Sequence, residues 1–226
     1  MNRVYESKHP LVQHKLSFLR RGDTGARRFQ ELVWELTTLL AYEALADLAV
    51  TQTSVTTPLA ETKGDVLAER VTLVPILRAG LGMVDPIWSL IPDAQVGHIG
   101  LYRDEVTLQP VEYYSKLPPA SQVDTCIVLD PMLATGGSAT AACNILKGRG
   151  IHRIKYLGLI AAPEGIARLH GAHPEVDIHV AAVDRCLNDR GYIVPGLGDA
   201  GDRLFGTKVE EAARIPNALE QGETGE

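Results

Sequence analysis

Apolar residues recur at helical spacing early in the chain. Phe29, Leu32, Val33, Leu36, Leu39, Leu40, Ala44 and Leu48 fall on one side of a helix, which predicts a packing helix from a cap at Thr24 to about Leu48. A shorter helix is predicted from Pro10 to Arg20, with proline in its first turn and Leu11, Leu16 and Leu19 turned toward the same core. From Val71 the pattern changes to short apolar runs, VTLVPIL, VGHIGLY, CIVLD, IKYLGLIAA and VDIHVAAV, alternating with GLGMVDPIWSLI and GGSATAACNILK. Doubly apolar strands separated by helices predict an α/β fold: a mainly parallel sheet with helices on both faces, whose ligands lie at the carboxyl ends of the strands. That places a site just after Leu77, Leu129 and Ala161.

Two stretches depart from this alternation. Between Tyr102 and Leu117 the sequence is polar and carries one proline, so a long excursion is expected, a small hairpin able to act as a lid. After Lys208 the chain contains five glutamates and no aromatic residue, which predicts a frayed, flexible acidic tail. The expected organisation is a single domain over residues 1–208 with a tail over 209–226, and there is no internal repeat.

Composition narrows the class. With 226 residues the chain buries a substantial core without disulfides, and its three cysteines, Cys126, Cys143 and Cys186, are too widely spaced for a CxxC site, so reduced and mostly buried thiols are expected. The first residues, MNRVYESKHPLVQHKL, hold no signal-type apolar run, and no long apolar stretch follows; a soluble cytoplasmic protein with no membrane partner is expected. A net charge of -6 argues against a protein whose main task is non-specific binding to nucleic acid, while leaving room for a small anion met by a few arginines. None of the seven histidines stands at metal-ligand spacing, and none is assigned a catalytic role.

The strongest local signal is CIVLDPMLATGGSATAACNILK, in which an apolar strand ends at Asp130 and passes through Thr135, Gly136, Gly137 and Ser138 into a helix. Glycines let successive N–H groups turn toward one anion, the two hydroxyls add donors, and the helix amino end adds favourable partial charge. The Walker and GxGxxG arrangements are both missing. A strand-end carboxylate beside a phosphate cradle suits a sugar phosphate, since it accepts hydrogen bonds from two ribose hydroxyls. A second loop, VPILRAGLGMVD, sets Arg78 at a turn with Ala79 and Gly80 behind it, a place where a guanidinium and backbone amides face a diphosphate. A third stretch, GYIVPGLGDAGDRLFGTK, packs five glycines and a proline into a span predicted to be a compact loop, neither regular helix nor strand. Taken singly, these also read as an ordinary strand-to-helix connection, a surface arginine at a helix start and a cluster of turns.

DPMLATGGS, together with the other two stretches in this order, resembles the type I phosphoribosyltransferases, and within them the uracil branch. The likeness runs from about Val4 to Lys208. It implies the fold of that family, with a small hood, and transfer of phosphoribose from phosphoribosyl pyrophosphate to uracil N1, giving UMP and pyrophosphate. By this resemblance the donor is bound by Arg78, Ala79, Gly80, Arg103, Asp130, Pro131, Met132, Leu133, Ala134, Thr135, Gly136, Gly137, Ser138 and Asp199. Arg78 and Asp130 carry catalysis, and backbone groups of Ile193, Gly198 and Ala200, with Asp199 alongside, meet uracil. Main-chain groups suffice for a neutral base that presents two carbonyls and an N–H along one edge. Most of the wider group has two adjacent acidic residues where Asp130 is followed here by Pro131. That fits the uracil branch and removes a second carboxylate as a candidate base.

Further expectations follow from the same likeness. Mg²⁺ would arrive with the pyrophosphate and ribose oxygens rather than in a protein cage. The family suggests a homo-oligomer built from dimers and, in some members, activation by GTP. Tyr113, Tyr114 and Lys116 either close over the ligand or belong to a solvated hairpin, and the AAPEG turn at Ala161 to Gly165 reads structurally first. Two rivals stay open: a phosphoribosyltransferase for a purine or orotate, for which only Arg203 offers positive charge in the last loop, and a nucleotide-sensing RNA-binding regulator on the same fold.

Overall fold

The computed structural model describes residues 3–103 and 110–207. The acidic tail therefore lies outside the described residues, as do the tip of the polar excursion and the side chain of Arg103. In chain order the elements are β1 (Val4–Glu6), α1 (Pro10–Arg20), α2 (Ala26–Ala44), β2 (Val50–Thr56), β3 (Glu61–Leu67), β4 (Val71–Leu77), α3 (Val84–Leu90), β5 (Gln95–Val96), β6 (His98–Arg103), β7 (Pro110–Lys116) and β8 (Thr125–Leu129). After these come β9 (Met132–Leu133), α4 (Gly137–Gly148), β10 (Ile154–Leu157), β11 (Ile160–Ala161), α5 (Pro163–Ala172), β12 (Asp177–Val180), β13 (Ala182–Val183), β14 (Cys186–Leu187), β15 (Ile193–Val194) and α6 (Ala200–Phe205).

The main sheet runs β1-β12-β10-β8-β4-β6-β7, with β5 also on β4. Every pairing in it is parallel except β6 with β7. Alternation along the buried strands splits the core between two faces. Ile127 and Leu129 of β8 join the cluster built on α1, α2 and α3, while Cys126 and Val128 join that of α4 and α5. The chain leaves β4 toward β6 on one side and leaves β8 toward β10 and β12 on the other, so the strand order reverses between β4 and β8. A crevice opens at such a switch point, outside the carboxyl ends of its two strands.

Several expectations are corrected at element scale. α2 begins at Ala26 behind Gly25 rather than at a Thr24 cap, because the Thr24 hydroxyl donates to Phe18 O (2.7 Å). It also stops at Ala44, short of Leu48. In α1, Leu11 is half exposed and Val12 takes the buried position. IKYLGLIAA and VDIHVAAV each break into two strands. β10 and β12 end in the main sheet, and after a kink at Gly158 and Ala181 the chain continues as β11 and β13, which with β9 form a small parallel sheet. The third stretch of the sequence is not devoid of regular structure: β15 pairs with β14, and α6 follows, capped by Asp199, whose carboxylate accepts from Asp202 N (2.9 Å). Edge strand β1, the exposed hairpin β2–β3 and the short strands β9 and β14 carried no sequence expectation. The three cysteines are free, with Cys126 and Cys143 buried and Cys186 half-buried.

Candidate active site

β8 is buried throughout and delivers Asp130 to the rim of the sheet, where the Asp130 carbonyl accepts from the buried Tyr156 hydroxyl (2.8 Å). Pro131 O then accepts from Leu159 N (2.9 Å) and Ile160 N (3.1 Å), and Leu133 O from Ala162 N (2.9 Å). These bonds tie Pro131, Met132 and Leu133 down as a strand, so the chain reaches Ala134 and Thr135 from a fixed base. Gly136 next adopts φ 74, a left-handed conformation that costs any other residue, and a Cβ there would stand 2.6 Å from Gly165 O. α4 starts at Gly137 with no side-chain cap, leaving its first amides without intrahelical partners beside the hydroxyls of Thr135 and Ser138. Sequence reasoning passed over Arg168 on α5. Its exposed guanidinium lies beside Gly137, with Nη1 3.3 Å from where a Cβ would be, and it brings positive charge to the edge of this cradle.

β4 lies next to β8, with Pro75 opposite Leu129. The Leu77–Arg78 peptide is cis, and the turn that follows presses Gly80 onto the neighbouring strand: a Cβ at Gly80 would come within 2.3 Å of Leu129 O. Arg78 is exposed, and its only ion-pair contact among the described residues is Asp202 at 3.9 Å. The last loop meets both of the others. A Cβ at Gly201 would face that of Ala79 at 3.8 Å, a Cβ at Gly82 would touch Leu204 at 3.0 Å, and the Asp199 carboxylate acts electrostatically on Asp130. Gly198 is exposed with φ 79, Ala200 is buried as the first residue of α6, and Ile193 is buried in β15.

Through Gly80 and Leu129, Gly201 and Ala79, and Arg78 and Asp202, the turn after β4 touches both the end of β8, where Asp130 follows, and the last loop. Arg103 ends β6, the strand beside β4. Tyr113 packs over Gly100 and against Tyr102 (6.3 Å between ring centroids), as half-exposed aromatics do on a solvated hairpin.

Electrostatics single out Asp130. Burial of its carboxyl, opposed by a hydrogen bond from the Met132 backbone and reinforced by the Asp199 carboxylate, pushes its pKa up to about 7. No basic side chain among the described residues pairs with it. Two mutually repelling carboxylates fit a donor that brings a divalent cation, whereas no group of three or more His, Cys, Asp or Glu side chains among the described residues forms a metal cage.

A mostly parallel sheet flanked by helices, with a glycine turn after β9 and an arginine turn after β4, is the fold expected of the type I phosphoribosyltransferases. Comparison with known proteins narrows the class. The family described as Uracil phosphoribosyltransferase matches residues 6–207. A uracil phosphoribosyltransferase of Roseiflexus castenholzii is 66% identical over 207 residues, which cover 92% of this chain and 100% of the relative. That of a Geobacillus species is 57% identical over 209 residues, again 92% and 100%. Among solved structures, the AQ2163 protein from Aquifex aeolicus is 40% identical with a TM-score of 0.87, over 92% of this chain and 100% of that one. The chain belongs to the uracil phosphoribosyltransferase family.

Proposed function

We propose that this chain transfers the phosphoribosyl group of 5-phospho-α-D-ribose 1-diphosphate to N1 of uracil, giving UMP and pyrophosphate. Family membership supports the reaction, and one observation carries its placement: the turn after β4 packs on the end of β8 through Gly80 and Leu129 and on the last loop through Ala79 and Gly201. In this reading the amides and hydroxyls from Thr135 to Ser138 hold the 5'-phosphate and Asp130 accepts from the ribose hydroxyls. Arg78, with amides near Ala79 and Gly80, takes up charge on the departing diphosphate. Backbone groups of Ile193, Gly198 and Ala200 hold the base, turning a three-body encounter into a local attack. Mg²⁺ bound with the donor would neutralise diphosphate charge, and Asp130 and Asp199 are the carboxylates that would face it.

Uracil is favoured over orotate by what Arg203 does. Its guanidinium is committed to the carbonyls of Leu197 (2.7 Å), Leu19 (3.0 Å) and Arg21 (2.6 Å) and lies over the Phe29 ring at 4.3 Å, so it is not free for a substrate carboxylate. Activation by GTP, a cytoplasmic location and a dimer-based homo-oligomer complete the proposal. The dimer is supported by the β2–β3 hairpin, which is exposed along nearly its whole length with Leu59 at 97% exposure, a ribbon that has little stability without a partner surface. No helix among the described residues is long and apolar enough to cross a membrane.

Pyrophosphate release measured with the donor and uracil, hypoxanthine or orotate, with and without Mg²⁺, tests the reading. Release is expected with uracil and Mg²⁺ alone. Equal release with hypoxanthine or orotate would overturn the substrate assignment.

A further inference from the structure

The glycine-rich stretch that the base is proposed to meet has almost no side chains with which to hold its own shape. Its rigidity comes from elsewhere. Asp184 is buried at 6% exposure, anchored by its own N–H to Ala161 O (2.7 Å), and forms a two-pronged ion pair with Arg20, the last residue of α1 (2.7 and 2.5 Å). Between them they engage both backbone polar groups of Gly196: its N–H donates to Asp184 Oδ2 (3.0 Å) and its carbonyl accepts from Arg20 Nη1 (2.8 Å). The next carbonyl, that of Leu197, accepts from Arg203 Nη1, and the same guanidinium binds carbonyls at the end of α1, so the attachment runs in both directions. These bonds stop at Gly198, which is exposed.

We infer that Arg20, Asp184 and Arg203 are positioning residues that set the affinity and selectivity for the base through the backbone of residues 196–200. The inference rests on uracil being the substrate. A neutral pyrimidine read by main-chain groups is discriminated only if those groups cannot shift to suit another hydrogen-bonding edge, because rejection comes from groups left unpaired. Charged forks at Gly196 and Leu197 supply that stiffness, while no charge is aimed at the base itself. Arginine is required rather than a generic cation, since one planar head must satisfy a carboxylate and a carbonyl together at Arg20 and several carbonyls at Arg203.

Asp184→Asn, Arg20→Lys and Arg203→Lys in the full chain provide the test, each with KM for uracil, KM for the donor, kcat, relative use of cytosine and thermal melting. KM for uracil is expected to rise about tenfold, one to two lost hydrogen bonds, with donor KM held within about twofold and cytosine gaining relative to uracil. Should Asp184→Asn fail to fold, the two lysine variants, which keep the charge, carry the same readout. Folded variants in which both KM values rise together, or neither changes, would overturn the inference. A wild-type enzyme that does not consume uracil would instead sink the substrate assignment.

Discussion

Arg78 and Asp130 follow neighbouring strands but have contrasting surroundings. Arg78 is exposed and, among the described residues, its one ion-pair contact is with Asp202 at 3.9 Å, so its removal should leave the fold intact. Arg78→Ala is expected to lower kcat by about 100- to 1,000-fold with an unchanged melting temperature, and an unchanged rate at saturating substrates would remove it from leaving-group stabilisation. Asp130 is strained by its surroundings. The native state keeps its proton to about pH 7, whereas an unfolded chain releases it near 3.8, so stability falls as pH rises between these points and is level above. Asp130→Asn removes that slope. The variant should melt higher than wild type at pH 8 and alike at pH 3.5, while losing donor affinity much more than uracil affinity. Calorimetry showing equal loss for both ligands would contradict the ribose assignment. Both residues were legible in the sequence because each closes an apolar strand. Arg20 and Asp184 were not, because they lie 164 residues apart and their pairing exists only once α1 crosses the last loop.

At the scale of elements, the glycine turn into α4 was legible because its signal is local: glycines, a strand before and a helix after. The last loop was misread for the opposite reason. Its glycines and proline suggested irregular chain, yet Asp199 caps a short helix, α6, and Leu204 packs this helix against α2 and the β4 turn. Likewise the kinks at Gly158 and Ala181 left no mark in continuous apolar runs, which look alike whether one strand or two consecutive strands result. The geometry at Gly136 yields a sharp prediction. Its φ of 74 and the 2.6 Å approach to Gly165 O leave no room for a methyl group, so Gly136→Ala should weaken donor binding and lower stability by about 1–3 kcal/mol in urea unfolding. A variant that binds the donor like wild type would show that this turn does not shape the cradle.

For the molecule as a whole, hydrophobic alternation identified the two-faced parallel sheet, and the place of its site followed from the strand order. The exposed ribbon was not legible, because β2 and β3 carry a polar, threonine-rich sequence and display Val50, Val66 and Leu67 on it. If the ribbon pairs two copies, replacing Val66 and Leu67 with lysine should convert the sedimenting species from dimer to monomer at micromolar concentration. A wild-type monomer under the same conditions would contradict the dimer.

In the proposed reaction one crevice between β4 and β8 holds phosphate, ribose and base at once. A crystal structure with UMP bound examines it most directly. Density is expected with the 5'-phosphate on the amides from Thr135 to Ser138, the ribose hydroxyls on Asp130 and the pyrimidine edge along Gly198 to Ala200. UMP bound with its ribose away from Asp130, or with its base on another surface, would contradict the account.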